Sequence, residues 1–259
     1  MKRIFALLLA LMLLCTLVAS CSKDEDEDEQ TDLTVVTEHQ VYTPANNQYK
    51  DSFEYEIING DEVAIVNFTS NYTLHAIVIP DKIENCPVVE ITDGAFYQCS
   101  QITSVKIPAT VTRIGDMAFA GCVQLEEVIF DGVPTLQTID DYAFAKCAAL
   151  KSIALPETLT KLGEGAFMDC ITLVTVLTQA PLTEIMPRTF MGCAKLYSVT
   201  AFSQVEIIGE FAFSGCTELA IFHPASVKEI RAYSFAGCKR IDPLTPIEGL
   251  LKVDKTAFY

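Results

Sequence analysis

The sequence predicts an α/β repeat solenoid, a stack of ~23-residue units that share one core and line their strands into a parallel ladder. Three observations predict it. A phenylalanine recurs at Phe96, Phe119, Phe144, Phe167, Phe190, Phe213, Phe235 and Phe258, with spacings of 23, 25, 23, 23, 23, 22 and 23 residues. Aliphatic residues stand at fixed offsets before each, as Val111 and Ile114 do before Phe119, and a cysteine stands three residues after all but the last. Short alternating segments stopped by proline, such as Ser104-Val105-Lys106-Ile107-Pro108, punctuate the repeats.

Each element has a physical reason. Phe, Cys and Leu at successive steps of three place three side chains on one face of a short helical turn. The alternating segment is a strand with one buried side. A unit of one helical turn and one strand cannot bury its own apolar face, so units stack, with strands ~4.8 Å apart. The full pattern is aliphatic-x-x-Ile-Gly-x-x-Ala-Phe-x-x-Cys-x-x-Leu-x-x-aliphatic, seen from Val111 to Val128 and from Val205 to Phe222. It resembles the BspA-like leucine-rich repeat, and the resemblance covers about residues 80–259. That resemblance implies a leucine-rich-repeat-like stack. It also implies a bacterial surface protein, of a family in which some members are implicated in adhesion to host matrix proteins or to other cells.

The repeat cysteines, Cys99, Cys122, Cys147, Cys170, Cys193, Cys216 and Cys238, admit three readings. Disulfides between adjacent units meet the Cα distance, but parallel Cβ vectors at ladder spacing sit wider than the bond prefers, and seven is an odd number. Zinc needs four converging ligands, whereas a ladder spreads them along an axis. Buried free thiols packing as small hydrophobes fit best.

Taken from the N-terminus, Lys2 and Arg3 precede an apolar run to Leu17, and small residues precede Cys21. Residues 1–20 thus read as a signal peptide, too short for a membrane anchor. Leu17-Val18-Ala19-Ser20-Cys21 resembles a bacterial lipobox, with Val18 in place of the commoner Leu. Cys21 is then the lipidated N-terminus; ordinary secretion with cleavage nearby is the alternative. The acid run Asp24–Glu29 makes residues 21–50 an extended, solvated tether. It resembles the tract after the lipidated cysteine in Bacteroidetes lipoproteins of the outer membrane's outer leaflet. Residues 51–80 form a β cap: Phe53 to Ile57 alternates, Asn59-Gly60 offers a hairpin turn, Val63 to Ile65 alternates again, and Leu74 to Ile79 is a further strand. Residues 81–259 are the solenoid, about eight units with the last incomplete, and its uncapped C-terminal end is a candidate for self-association or docking on an envelope complex.

Evidence for catalysis is poor. His39, His75 and His223 stand in no metal-binding spacing, and no nucleophile elbow, phosphate loop or dinucleotide fingerprint occurs. Asp140-Asp141 would suit a glycan hydrolase only if two carboxylates faced one cleft; a solvated turn is the simpler reading. No enzyme, cofactor or metal is therefore expected. A net charge of −16 with no basic patch argues against nucleic acid.

What remains is a lipid-anchored surface protein that binds a protein or glycan, or alternatively a structural component of an envelope assembly. The candidate contact is the strand ladder, with a passive sheet face as the alternative. Alternation points Val105, Val128, Ile153, Val176, Val199 and Phe222 inward. Their neighbours face out: Ser104 and Lys106, Glu127 and Ile129, Ser152 and Ala154, Thr175 and Leu177, Ser198 and Thr200, Ile221 and His223. This face is small, hydroxylated and free of aromatics.

Overall fold

A phenylalanine every ~23 residues must find apolar company outside its own short unit, and it finds the phenylalanine of the next. From Phe96 to Phe258 the rings stack in one continuous column, with successive centroids 4.7 to 5.7 Å apart and planes within 14° of parallel. The structure, a computed structural model, describes residues 39–45, 51–70, 74–200, 202–222, 226–241 and 249–259. The expectations for residues 1–20, Cys21 and His223 lie outside those residues. Within them the chain is a parallel β-solenoid, one coil per repeat.

The expected helical turn is absent: no helix occurs among the described residues. The backbone around Phe119 shows why. The N–H groups of Ala118, Ala120 and Cys122 donate three residues back within their own coil, to Gly115, Met117 and Phe119. Those of Met117, Phe119 and Gly121 cross instead to the carbonyls of Asp141, Ala143 and Ala145 in the next coil, at 2.7–2.9 Å. A helix would keep every bond inside its own turn. Here alternate amides are committed to the neighbour, and in each coil from Phe96 to Phe235 the residues two before and two after the Phe have positive φ. An α-helix cannot accommodate that alternation. The fold is therefore all-β in its regular elements, and the helical half of the α/β expectation is corrected.

The cysteines complete this turn. Each thiol from Cys122 to Cys238 donates to the carbonyl of the Phe one coil earlier, at 3.1–3.2 Å. All seven are free thiols. A buried side chain there needs small volume and one donor, which cysteine combines.

Two strand ladders flank the turns. In the short-strand ladder Cys86–Ile91, Arg113–Ile114, Thr138–Ile139 and Lys161–Leu162 pair in parallel, followed by a second group of Glu184–Ile185, Ile207–Ile208, Glu229–Ile230 and Lys252–Val253. In the long-strand ladder His75–Val78, Ile102–Ile107 and Glu127–Phe130 form one group. Ser152–Leu155, Thr175–Thr178, Ser198–Thr200 and Ile221–Phe222 form the next.

At the N-terminal end, Ser52–Ile58 and Glu62–Thr69 form a hairpin whose turn residues Asn59 and Gly60 both have positive φ. Glu62–Thr69 then continues the short-strand ladder in parallel with Cys86–Ile91. Phe68 stacks on Phe96 at 5.0 Å and Phe53 packs on Phe68, so the hairpin covers the first ring of the column. Gln40–Tyr42, within the segment read as a tether, adds an antiparallel strand to Ser52–Ile58. His75–Val78, read as part of the cap, is the first strand of the long-strand ladder.

Candidate binding face

The long-strand ladder sorts its residues as alternation requires. Val105, Val128, Ile153, Val176 and Val199 are buried, and Phe222 is half-buried with its ring against Phe213 and Phe235. The outward residues stack in register: Ser104 opposite Glu127 and Lys106 opposite Ile129, then Ser152, Thr175, Ser198 and Ile221 in one column, and Ala154, Leu177 and Thr200 in another. Glu127, Ile129, Ser152, Ala154 and Leu177 are exposed; Ser104, Lys106, Thr175 and Ile221 are half-buried. Ser198, expected outside, is only 9 % exposed and offers little to a partner. The side chain of Thr200 lies outside the described residues, as does His223.

The face is not free of aromatics. Tyr197 is 41 % exposed, with Val174 beside it at 42 % and Leu177 at 51 %. Tyr197 and Val174 occupy the position just after the repeat leucine, a column that also holds Glu126, Lys151 and Ala220 and is joined by its own backbone bonds. Counting alternation from the first strand residue misses this column. Reading the residue after each repeat leucine would have found it.

The ladder has a seam. Tyr197 N–H reaches Val174 O at 2.9 Å and Val174 N–H reaches Lys151 O at 2.8 Å, but Lys151 N–H to Glu126 O is stretched to 3.4 Å. Glu127–Phe130 and Ser152–Leu155 belong to separate sheets. The seam falls in the one unit with 25 residues between its phenylalanines, where Asp131–Gln137 lengthens the loop after the strand. A depression of about 560 Å³ opens there, lined by Thr103, Ser104, Glu126, Glu127, Lys151 and Ser152. Lys151 Nζ is paired with Glu126, and Lys106 Nζ lies 2.9 Å from Asp131. Glu127 has no cation partner among the described residues.

The family model of the BspA type leucine rich repeat region matches six copies over residues 65–197 and 183–259. The chain belongs to the BspA-type leucine-rich repeat family. Among solved structures, this BspA-type chain is similar to the leucine rich repeat protein of T. pallidum, at 28% identity over 78% of this chain and 91% of that one, with a TM-score of 0.65. It is also similar to a leucine-rich repeat protein from Bacteroides ovatus, at 25% identity over 71% of this chain, with a TM-score of 0.53. There it spans 55% of the other chain. No curated protein matches significantly.

The other candidate groups of this BspA-type chain are held by the fold. Asp140, expected in a solvated turn, is only 5 % exposed, and its carboxylate accepts from Arg113 Nε at 2.7 Å and from Lys161. The turn stacks on its neighbours, which bury the residue between two cations. Asp141 Oδ1 accepts the Glu164 N–H at 2.8 Å, as Asp93 does for Asp116 and Asp116 for Asp141. These carboxylates serve the coil-to-coil ladder. His39 pairs with Glu54 and Glu56, and buried His75 lies 3.0 Å from Asp51. Among the described residues no group of three or more His, Cys, Asp or Glu side chains is arranged to hold a metal ion. Burial pushes the Cys99 thiol up to about 11 and the Cys170 and Cys238 thiols up to about 12, so at neutral pH they stay protonated and poorly nucleophilic.

Proposed function

We propose that this chain is a cell-surface binding protein, anchored in the outer membrane by lipid on Cys21, that contacts a protein or glycan of a host or neighbouring cell. The observation that carries the binding half is the exposed apolar patch of Val174, Leu177 and Tyr197 on a regular sheet face. Solenoids use such extended faces for recognition, and an exposed tyrosine flanked by aliphatics is the kind of group that anchors interfaces. The anchoring half rests on the lipobox-like Leu17 to Cys21 and the acid run that follows. Membership of the BspA-type family supports the binding half. Contacts spread over several coils are individually weak, and many copies fixed on one membrane multiply them.

The anchor is tested by Cys21→Ser, which should move the protein from the membrane to the soluble fraction. Protease added to intact cells should cleave the wild-type chain. A chain protected until the cells are lysed would remove surface display.

A further inference from the structure

The ladder face is uneven in chemistry. Its apolar patch, Val174, Leu177 and Tyr197, sits in the second and third coils after the seam, and Glu127 lines the depression at the seam together with Ser104 and Ser152. The two lysines near that end are already neutralised, Lys151 by Glu126 and Lys106 by Asp131. One uncompensated negative charge therefore stands in a hydroxyl-lined recess two coils before an apolar platform. We infer that this face takes an extended segment of a partner protein, with an apolar side chain on the Val174–Leu177–Tyr197 patch and an arginine or lysine reaching Glu127 in the seam. This rests on the reading of the ladder face as the binding surface and adds what the partner must carry.

The register sets the partner's spacing. The seam lies between the coils of Glu127 and Ser152, and the patch spans the coils of Thr175 and Ser198. Two coils are ~10 Å at the usual strand separation, the length of about three residues of extended chain. The basic and apolar residues should thus be about three apart in a segment lying along the solenoid axis. A neutral glycan makes no use of the Glu127 charge, and the aliphatic Val174 and Leu177 flanking Tyr197 suit an apolar side chain, so the protein segment is favoured.

The test is to pan a phage-displayed random-peptide library on the full chain and rebind the selected peptides to variants. Selected peptides should pair an Arg or Lys with an apolar residue about three positions away. Glu127→Gln should weaken them about tenfold, Leu177→Ser should weaken them comparably, and the exposed control Glu157→Gln should leave them unchanged. Peptides lost on Leu177→Ser but indifferent to Glu127→Gln would overturn the seam while sparing the ladder face. Peptides indifferent to both, or no selected peptides at all, would overturn the inference. So would binding of neutral glycans from a printed array that Leu177→Ser abolishes.

Discussion

The rings of Phe119 and Phe144 lie with centroids 5.2 Å apart and planes 2° from parallel. Both side chains are fully buried, so each Phe is core for two neighbouring coils as well as for its own.

Removing one ring from the column leaves a cavity that a regular stack cannot close by local shifts. Phe144→Ala should therefore cost ~3–5 kcal/mol, measured by urea unfolding. A loss below ~1 kcal/mol would mean that the column is not core.

The buried thiols make stability depend on alkaline pH. Burial raises Cys170 and Cys238 from 9.0 to about 12, and buried Tyr55 from 10.0 to about 12. Because the folded values lie above the unfolded ones, their stabilisation is intact below pH 9 and is lost as pH rises towards about 12. The urea midpoint should be flat through neutral pH and fall above pH 9, and Cys170→Ala should flatten that fall. A midpoint constant to about pH 11 would contradict the burial. Alkylation in native buffer should spare the buried cysteines, and alkylation in denaturant should find all seven repeat thiols free.

Lys146 is exposed with φ 60°, a backbone that costs an L-residue ~1–2 kcal/mol. Glycine occupies the equivalent place at Gly121, Gly192, Gly215 and Gly237. Lys146→Gly should stabilise the chain by ~0.5–1 kcal/mol, net of glycine's greater entropy loss on folding. Lys146→Val should destabilise it. Denaturation of the pair reads the sign directly, and a destabilising glycine would contradict the turn geometry.

The repeat was legible because its period is strict: every Phe, Cys and Leu placed by alignment is where the solenoid needs it. The helix was misread because side chains three apart share a face both in a helix and in a run of alternating turns. The distinguishing mark is glycine two residues from the Phe, at Gly94, Gly121, Gly165, Gly192, Gly215 and Gly237. It signals left-handed backbone that a helix interior excludes. Burial of Asp140 and Ser198 was hidden for another reason. Each depends on what the neighbouring coils lay over it, and a pattern within one unit carries no record of that. The seam was visible as the 25-residue spacing, but its consequence for the ladder needs the register of two strands.

If the ladder face binds, a change at its centre must remove binding. Thr175→Arg with Leu177→Arg places two bulky cations in the middle of that face, and both side chains point away from the core, so folding should be unaffected. The measurement is equilibrium binding of the full chain and of this double variant to immobilised matrix proteins, mucins and glycans, with melting curves recorded in parallel. The wild type should bind, and the variant should lose at least tenfold in affinity at an unchanged Tm. Equal binding by both chains would contradict binding at that face.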